Sequence, residues 1–284
     1  MKYNFLKSFC KINLFLEVGS KNKKTKLHNI QSIVFIINLK DEIKIKRIYD
    51  QKDIIKFTGP FSKYIKNKKN SLSESLFLLR KAGYIKKNYN YYIEVKKKIP
   101  VFSGLGGGSS NAATIIKFFL KRKISNQNLN HFSQTLGSDL KLFFHSNHIF
   151  QKNLNNFQNI KKKNFYFLIV YPFLKCSTKE IYSKVRNYKI LKKKNNFNFN
   201  SKVKMVQFLK NKKNSLEKIV LSKFPKIKKI LNEIGKINNC QFSRVTGSGS
   251  ACFGLFLTKK SADIGLKKIK KKFPKYWCVT GRTI

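Results

Sequence analysis

The order of predicted elements places this chain in the α+β class. Strands precede helices in the first half, and a β-α-α-β-β-α-β succession fills the second. Both orders suit layered sheets and helices better than a doubly wound parallel sheet. A third observation is a glycine- and serine-rich run at 100–113 set between a predicted strand and a predicted helix.

Cys10 to Val18 alternates, with Ile12, Leu14, Leu16 and Val18 on one face and Lys11, Asn13, Phe15 and Glu17 on the other. That period of two predicts a strand with one buried side. Ser32 to Asn38 reads as a buried strand and Asp41 to Ile48 as another, with Asn38-Leu39-Lys40-Asp41 as the turn between them. Leu72 to Lys81 follows as a short helix, then a strand over Tyr91 to Lys96 and a helix over about Ser109 to Leu120. Asn126 to Leu136 reads as a helix closed by Gly137 at its C-cap. The run Asn164 to Tyr171 is a strand stopped by Pro172, and the Lys/Asn-rich stretch Lys189 to Asn200 a solvated loop. Helices over Asn214 to Lys223 and Lys226 to Lys236 come next. Two strands, Gln241 to Val245 and Cys252 to Leu257, then flank a glycine turn. A Lys-rich helix (about Ser261 to Lys272) and a strand over Tyr276 to Thr280 close the chain. The length allows two domains, and the change in element order puts the boundary near residue 160.

The run Pro100-Val101-Phe102-Ser103-Gly104-Leu105-Gly106-Gly107-Gly108-Ser109-Ser110-Asn111-Ala112-Ala113 carries the strongest chemical signal. Glycines let successive amides turn toward one point, and a helix starting there adds its unpaired N–H groups and the positive end of its dipole. Such a loop cradles a phosphate chain. No Lys follows the glycines as a Walker A loop requires, and Ser109 stands where a dinucleotide fingerprint needs Gly or Ala.

The chain has 62 basic and 12 acidic residues, a net charge of +50, which points toward anionic partners such as nucleic acids. Only Arg47, Arg80, Arg122, Arg186, Arg244 and Arg282 are arginine, however, and nucleic-acid readers lean on arginine's planar fork. Lys, Asn, Ile, Phe and Tyr are all abundant, and all five can be written with A and T alone. An AT-rich coding sequence therefore accounts for the excess, and no dedicated nucleic-acid partner is expected. Five cysteines with no Cys-x-x-Cys pair fit a reduced, cytoplasmic compartment. His145 and His148 lack a second ligand pair for zinc, and no apolar run reaches the ~18–20 residues of a bilayer span.

Phosphoryl transfer also needs a proton acceptor and a cation near the transferring oxygens. Asp41, Glu42, Asp50 and Asp53 fall in polar or turn contexts, and Glu180, Glu217 and Glu233 in ordinary amphipathic segments. Asp139 differs, because it enters the apolar run Leu142-Phe143-Phe144; by spacing alone it is as well explained as the N-cap of a short helix. Lys11, by itself, is one more surface lysine.

Three blocks together resemble the GHMP small-molecule kinases. The glycine run matches their Pro-x-x-x-Gly-Leu-Gly-Gly-Gly-Ser-Ser-x-Ala-Ala loop almost letter for letter; Lys11-Ile12-Asn13-Leu14-Phe15-Leu16 resembles their opening Lys-x-Asn-Leu-x-Leu; and Thr246-Gly247-Ser248-Gly249-Ser250-Ala251 resembles their third motif. The resemblance implies a two-domain fold. Residues 1–160 would form an N-terminal domain like domain 2 of ribosomal protein S5, which binds ATP. Residues 161–284 would form a ferredoxin-like α/β sandwich. It also implies ATP as phosphoryl donor, held by Pro100 to Ser110, and Mg2+, for which only Ser109 or Ser110 suggests itself as a ligand. Leu136-Gly137-Ser138-Asp139 is similar to the family's Leu-Gly-Ala-Asp, so Asp139 would be the catalytic base and Lys11 would orient the acceptor hydroxyl. Lys141 stands where the family usually has Pro, a departure expected to loosen that backbone.

Within the family, the triple glycine is most similar to members acting on a cytidine-diphosphate-linked alcohol. There a Tyr-His pair and an opposing aromatic hold the base. Lys26-Leu27-His28 aligns with that family's Gly-Tyr-His, so His28 is kept and Leu27 replaces the stacking tyrosine. Tyr182, near Thr178, is the expected opposing aromatic; Asn13, Thr178 and the Gly247-Ser248-Gly249 turn complete the expected substrate contacts. A homoserine- or mevalonate-type acceptor is the alternative within the family, and a basic nucleic-acid-binding protein on a vestigial kinase fold the alternative outside it. A monomer or homodimer with no membrane contact is expected.

Overall fold

The computed structural model describes residues 2–23, 27–65, 69–120, 124–191 and 199–284. Two compact units interleave along the sequence. One holds Met1–Cys10, Leu39–Val101 and Gly106–His145; the other holds Lys11–Asn38, Phe102–Leu105 and Ser146–Ile284. Two long strands open the chain: β1 (Asn4–Lys21, 18 residues) and β2 (His28–Ile48, 21 residues).

The single strand β2 corrects the expected turn at 38–41. Its polar residues are partners rather than punctuation. Asp41 is fully buried and accepts the N–H groups of Lys98 (2.8 Å) and Ile99 (2.9 Å), while Asn38 accepts that of Arg282 (2.8 Å). A polar group facing a ready-made donor has no need of a turn to reach water.

In the first unit, the later half of β2 pairs antiparallel with β4 (Asn90–Lys96), from Glu42↔Lys96 to Ile48↔Asn90. Strand β4 pairs in parallel with β3 (Ile54–Thr58), an element whose half-exposed residues gave no clear period. Helix α1 (Ser71–Lys81) is capped by Asn70, which accepts from Leu72 and Ser73 N–H. Helix α2 (Gly107–Phe119) buries Ala112, Ala113, Ile115 and Ile116, a stripe at helical spacing. Helix α3 (Asn126–Leu136) ends at Gly137, φ +101°, the C-cap the sequence announces. A 3-10 segment, Ser138–Phe144, then carries Asp139.

In the second unit, the earlier part of β2 pairs with β5 (His148–Gln151), and β5 with β6 (Phe157–Asn159). A four-stranded antiparallel sheet follows the order β10 (Trp277–Arg282), β7 (Tyr166–Tyr171), β9 (Cys252–Phe256), β8 (Phe242–Val245). Renumbered from its first strand this order is 4-1-3-2, that of a ferredoxin-like sandwich. Its helices are α4 (Thr178–Ser183), α5 (Lys202–Lys210), α6 (Glu217–Lys223), α7 (Lys226–Gly235) and α8 (Lys259–Lys272). Ile227, Ile230, Leu231 and Ile234 form the buried stripe of α7 in one core with Leu168, Val170, Val245, Phe256 and Ile269. Helices α4 and α5 had no counterpart in the sequence reading. Of the loop expected over 189–200, residues 192–198 lie outside the described residues.

His148 Nε2 lies 3.2 Å from the Lys163 carbonyl, and its ring packs 4.3 Å from Phe35. Burial pushes the imidazole pKa below 6.5, the Lys163 carbonyl resists, and Lys162 adds to the drop. A depressed folded-state pKa means stability that is present above the unfolded pKa and is lost as pH falls through the folded one. The stability advantage of the wild type over His148→Leu is therefore expected to be larger at pH 7 than at pH 5.5. Urea denaturation at both pH values checks this; equal gaps would refute it.

Candidate functional site

Strand β1 sets Lys11 and Asn13 on one face, two residues apart. Both belong to the unit that contains the ferredoxin-like sheet, and both are buried, at 3% and 4% exposure. So Lys11 is not one of the solvated surface lysines. A buried ammonium needs partners, and Lys11 Nζ donates to Asn13 Oδ1 (2.5 Å). Asn13 Nδ2 in turn donates to Ser32 Oγ (2.8 Å), and Ser32 Oγ to the Phe15 carbonyl (2.6 Å). The backbone joins two more motifs to this pair. Lys11 N–H donates to the Leu105 carbonyl (3.0 Å), and Asn13 N–H to Thr246 Oγ1 (3.0 Å).

The first part of the glycine run, Phe102–Leu105, belongs to this same unit and is laced to the Thr246–Gly249 turn. Ala251 N–H donates to the Ser103 carbonyl (3.1 Å), and Gly249 N–H to that of Thr246 (2.9 Å). Gly104 has φ +78°, and a Cβ there would fall 2.2 Å from the Thr246 carbonyl oxygen. A Cβ on Gly247, φ +55°, would lie 3.2 Å from both Asn13 Oδ1 and Lys11 Nζ and 3.1 Å from the Gly104 carbonyl. Only glycines let these backbones approach so closely. Lys11, Asn13, Gly104 and Gly247, from three separate sequence motifs, thus meet at one place.

Residues that sequence reasoning did not single out hold the turn. Asn214 donates from Nδ2 to the carbonyls of Val245 (2.9 Å) and Gly247 (2.7 Å). That role explains why α6 begins at Glu217 and not, as expected, at Asn214. Glu217, read from sequence as an ordinary helical carboxylate, accepts the Val245 N–H at 2.8 Å. Burial pushes its pKa up, against the pull of that N–H and of Arg244. Arg244 is itself buried; it donates to the carbonyls of Leu14, Lys212 (2.6 Å) and Leu209 (3.1 Å), and burial brings its pKa down to about 10. No local spacing marks these three residues, because each acts on a carbonyl or amide far away in sequence.

The expected base-binding residues also meet within this unit. His28 is buried; its Nδ1 lies 3.0 Å from the Gly19 carbonyl, and its Nε2 has no hydrogen-bond partner among the described residues. Its ring lies near Tyr182 (centroids 5.9 Å apart, 35°) and Tyr188 (5.3 Å, 45°), an aromatic the sequence reading did not name. Leu27 is half-exposed, and Lys26 lies outside the described residues. Thr178 Oγ1 is 3.0 Å from Ser248 Oγ.

The remainder of the run, with Pro100, Val101 and Gly106–Ser110, belongs to the other unit. Gly106, φ +71°, is the N-cap of α2, which starts at Gly107, two residues before the expected start at Ser109; no side chain caps it. The first-turn amides of α2 accordingly lack an intrahelical acceptor. Ser110 turns inward, 2.8 Å from Ser8 Oγ and 2.5 Å from the Phe9 carbonyl, whereas Ser109 is part-exposed. Of the two serines considered for magnesium, Ser109 is thus the more accessible. Among the described residues no cluster of three His, Cys, Asp or Glu could hold a metal ion.

Asp139 also lies in this unit, second in the 3-10 segment and part-exposed. The cap of that segment is Gly137, with no side-chain cap bond, so Asp139 is not the N-cap that spacing alone allowed. A Cβ on Gly137 would lie 3.6 Å from Ser109 Oγ, which puts the Asp139 segment beside the start of α2. Lys141, expected to loosen this backbone, ties it down: it is buried, its Nζ donates to Asn130 Oδ1 on α3 (2.5 Å), and burial lowers its pKa. Burial raises the Cys176, Cys240 and Cys278 thiols to about 11, so little thiolate forms at neutral pH.

The sequence matches the family descriptions GHMP kinases N terminal domain over residues 70–145 and GHMP kinases C terminal over 199–275. A curated relative from Pelagibacter ubique (strain HTCC1062), 4-diphosphocytidyl-2-C-methyl-D-erythritol kinase, is 36% identical over 284 residues, covering 98% of each chain. Among solved structures, a 4-(cytidine 5'-diphospho)-2C-methyl-D-erythritol kinase is similar at TM-score 0.74 and 20% identity, over 99% of this chain and 100% of that one. A homoserine kinase from Cytophaga hutchinsonii is similar at TM-score 0.62 and 16% identity, over 100% of this chain and 95% of that one. At such identities the solved structures speak for the fold alone.

Proposed function

Because this chain belongs to the GHMP kinase family, we propose that it transfers the γ-phosphoryl group of ATP to the 2-hydroxyl of 4-diphosphocytidyl-2-C-methyl-D-erythritol, a step of non-mevalonate isoprenoid biosynthesis. The observation that carries this reading is the 36% identity to a kinase of that name, sustained over 98% of both chains.

In the proposed reaction the acceptor oxygen bonds to the γ-phosphorus, the bond from that phosphorus to the β–γ bridging oxygen breaks, and ADP leaves. The hydroxyl proton passes to Asp139. Lys11 orients the hydroxyl and offsets charge on the transferring oxygens, and Asn13 hydrogen-bonds the acceptor. Preorganised groups of this kind act most strongly where water is excluded, and the burial of Lys11 and Asn13 supports the assignment. The amides from Gly104 to Ser110 cradle the phosphates, with Pro100 to Ser103 leading into the cradle. Ser109, the more accessible of the two serines, would help to hold Mg2+, which would offset phosphate charge. Gly247, Ser248, Gly249 and Thr178 line the proposed substrate side. In this reading residues 1–160 bind nucleotide and 161–284 complete the enzyme, which acts in the cytoplasm as a monomer or homodimer.

His28 favours a nucleobase-bearing acceptor over homoserine or mevalonate. Its buried Nε2 lacks a partner among the described residues, and two aromatic rings lie close to it. A flat heterocycle with ring and exocyclic polar atoms supplies both needs. Adding a ring where Leu27 stands is expected to strengthen base binding by about 1–3 kcal/mol. Leu27→Tyr should therefore lower KM for the cytidyl substrate about 5- to 150-fold with kcat little changed; steady-state kinetics check it.

The function itself is tested by ADP release from ATP with the cytidyl alcohol, with homoserine and with mevalonate, and by phosphorus NMR of the product. Turnover confined to the cytidyl alcohol, with the new ester at its 2-position, is expected. Turnover only with another acceptor would overturn the substrate assignment. Absence of any ATP turnover, together with steeply salt-dependent binding to DNA or RNA, would overturn the kinase reading.

A further inference from the structure

Beneath the first turn of α2 lies a buried polar cluster that the roles above do not use. Lys97, 2% exposed, is ion-paired with Asp41, 0% exposed, and its Nζ also donates to Asn111 Oδ1 at 3.0 Å. Asn111 Nδ2 donates to Asp41 Oδ2 (3.0 Å) and to Ser8 Oγ (2.9 Å). The other Asp41 oxygen takes the N–H groups of Lys98 and Ile99, the residues that lead into Pro100. Asp41 therefore joins four things: strand β2, the end of β4, the entry to the glycine run, and helix α2. Ser110, bonded to Ser8 Oγ and the Phe9 carbonyl, fixes the same turn of α2 to β1. A Cβ on Gly107 would lie 3.4 Å from Lys97 Nζ, so the ammonium sits directly under the turn whose amides lack intrahelical acceptors.

An apolar cluster would fill this space with less desolvation cost, since a buried ion pair is weak evidence for stability by itself. What directional bonds supply is a single orientation. We propose that the Asp41–Lys97 pair, through Asn111, is a positioning device that holds the first turn of α2 in the orientation in which its amides receive nucleotide phosphate. The nucleotide role rests on the kinase reading given above; the orientation of the turn does not. Neither residue touches the reacting atoms, so both are positioning residues.

The test compares wild type with Lys97→Met, Asn111→Ala and the double variant Asp41→Asn/Lys97→Met. The double variant removes both charges while leaving an amide oxygen for the Lys98 and Ile99 N–H groups. Three readouts are taken: kcat and KM for ATP, affinity for a non-hydrolysable ATP analogue, and amide hydrogen exchange on unliganded protein. For Lys97→Met and Asn111→Ala, KM and the analogue Kd are expected to rise about 10- to 100-fold, the scale on which a misplaced group is felt. Their kcat should stay within about threefold, and exchange at Ser110 to Ala113 should quicken relative to α3 and α8. The double variant should recover part of each change. Analogue affinity equal to wild type in folded single variants overturns the proposal. So does exchange that quickens equally in all helices, which is the mark of a merely structural pair. Should Lys97→Met fail to fold, Asn111→Ala, which keeps the ion pair, carries the comparison. Wild-type protein that does not bind the analogue would overturn the kinase reading, and exchange on unliganded protein then decides the positioning device alone.

Discussion

Asp139→Asn is expected to lower kcat by about 10²- to 10⁴-fold, the range that a positioned general base contributes. An amide oxygen cannot take the acceptor's proton. The change should cost little stability. The 3-10 segment is capped by Gly137 without side-chain help, and Leu140, Leu142 and Phe143 anchor it in the core. Unchanged melting temperature and ATP-analogue affinity with kcat collapsed would place Asp139 in the chemical step. Equal loss of analogue affinity would assign it to nucleotide binding, and wild-type turnover would remove it from the mechanism.

The second large effect is expected at Gly104. Alanine there must adopt φ +78°, a left-handed conformation that costs an L-residue roughly 1–2 kcal/mol, and its Cβ would overlap the Thr246 carbonyl oxygen at 2.2 Å. Neither backbone can retreat cheaply. The Ser103 carbonyl holds Ala251 N–H, the Leu105 carbonyl holds Lys11 N–H, and the Thr246 turn is clamped by Asn214 and Glu217. Relief of the overlap therefore displaces Lys11 and Gly247 together. Gly104→Ala should lose about 10²-fold or more in kcat/KM, with a fall in melting temperature of several degrees. Steady-state kinetics beside a thermal melt would measure both; near-wild-type values would mean that the contact relaxes at little cost.

Local chemistry explains which parts of this architecture could be read from the letters. Asn126–Leu136 with Gly137, and the closing strand and helix, announce themselves because cap, period and stop signal all sit within one short window. The glycine run was legible for the same reason: amide-lined turns need glycine, and glycine is visible. What stayed hidden depends on partners distant in sequence. The straight passage of β2 through Asn38–Asp41 follows from donors at Arg282, Lys98 and Ile99, which no window around residue 40 contains. Lys11 stood out only through its match to a motif, because in a chain of lysines burial is a property of the fold and not of the residue. Asn214, Glu217 and Arg244 gave no signal at all, and the aromatic contact of Tyr188 with His28 comes from a stretch with no period to read.

The extent of β1 bears on how the nascent polypeptide reaches its final form. Leu16 bonds through its amide and carbonyl to Lys213 and Ser215, Asn13 to Thr246, and Ile37 bridges to Thr283. Strand β1 pairs with β2, its neighbour in sequence, yet its bonds to Lys213, Ser215 and Thr246 form only after those distant residues have been synthesised. Until then the parts of β1 that these residues cover remain open to neighbouring chains, the hazard of slow, non-local topologies. A surplus of lysine on such an intermediate keeps copies apart by mutual repulsion. Colloidal protection during synthesis comes with that charge.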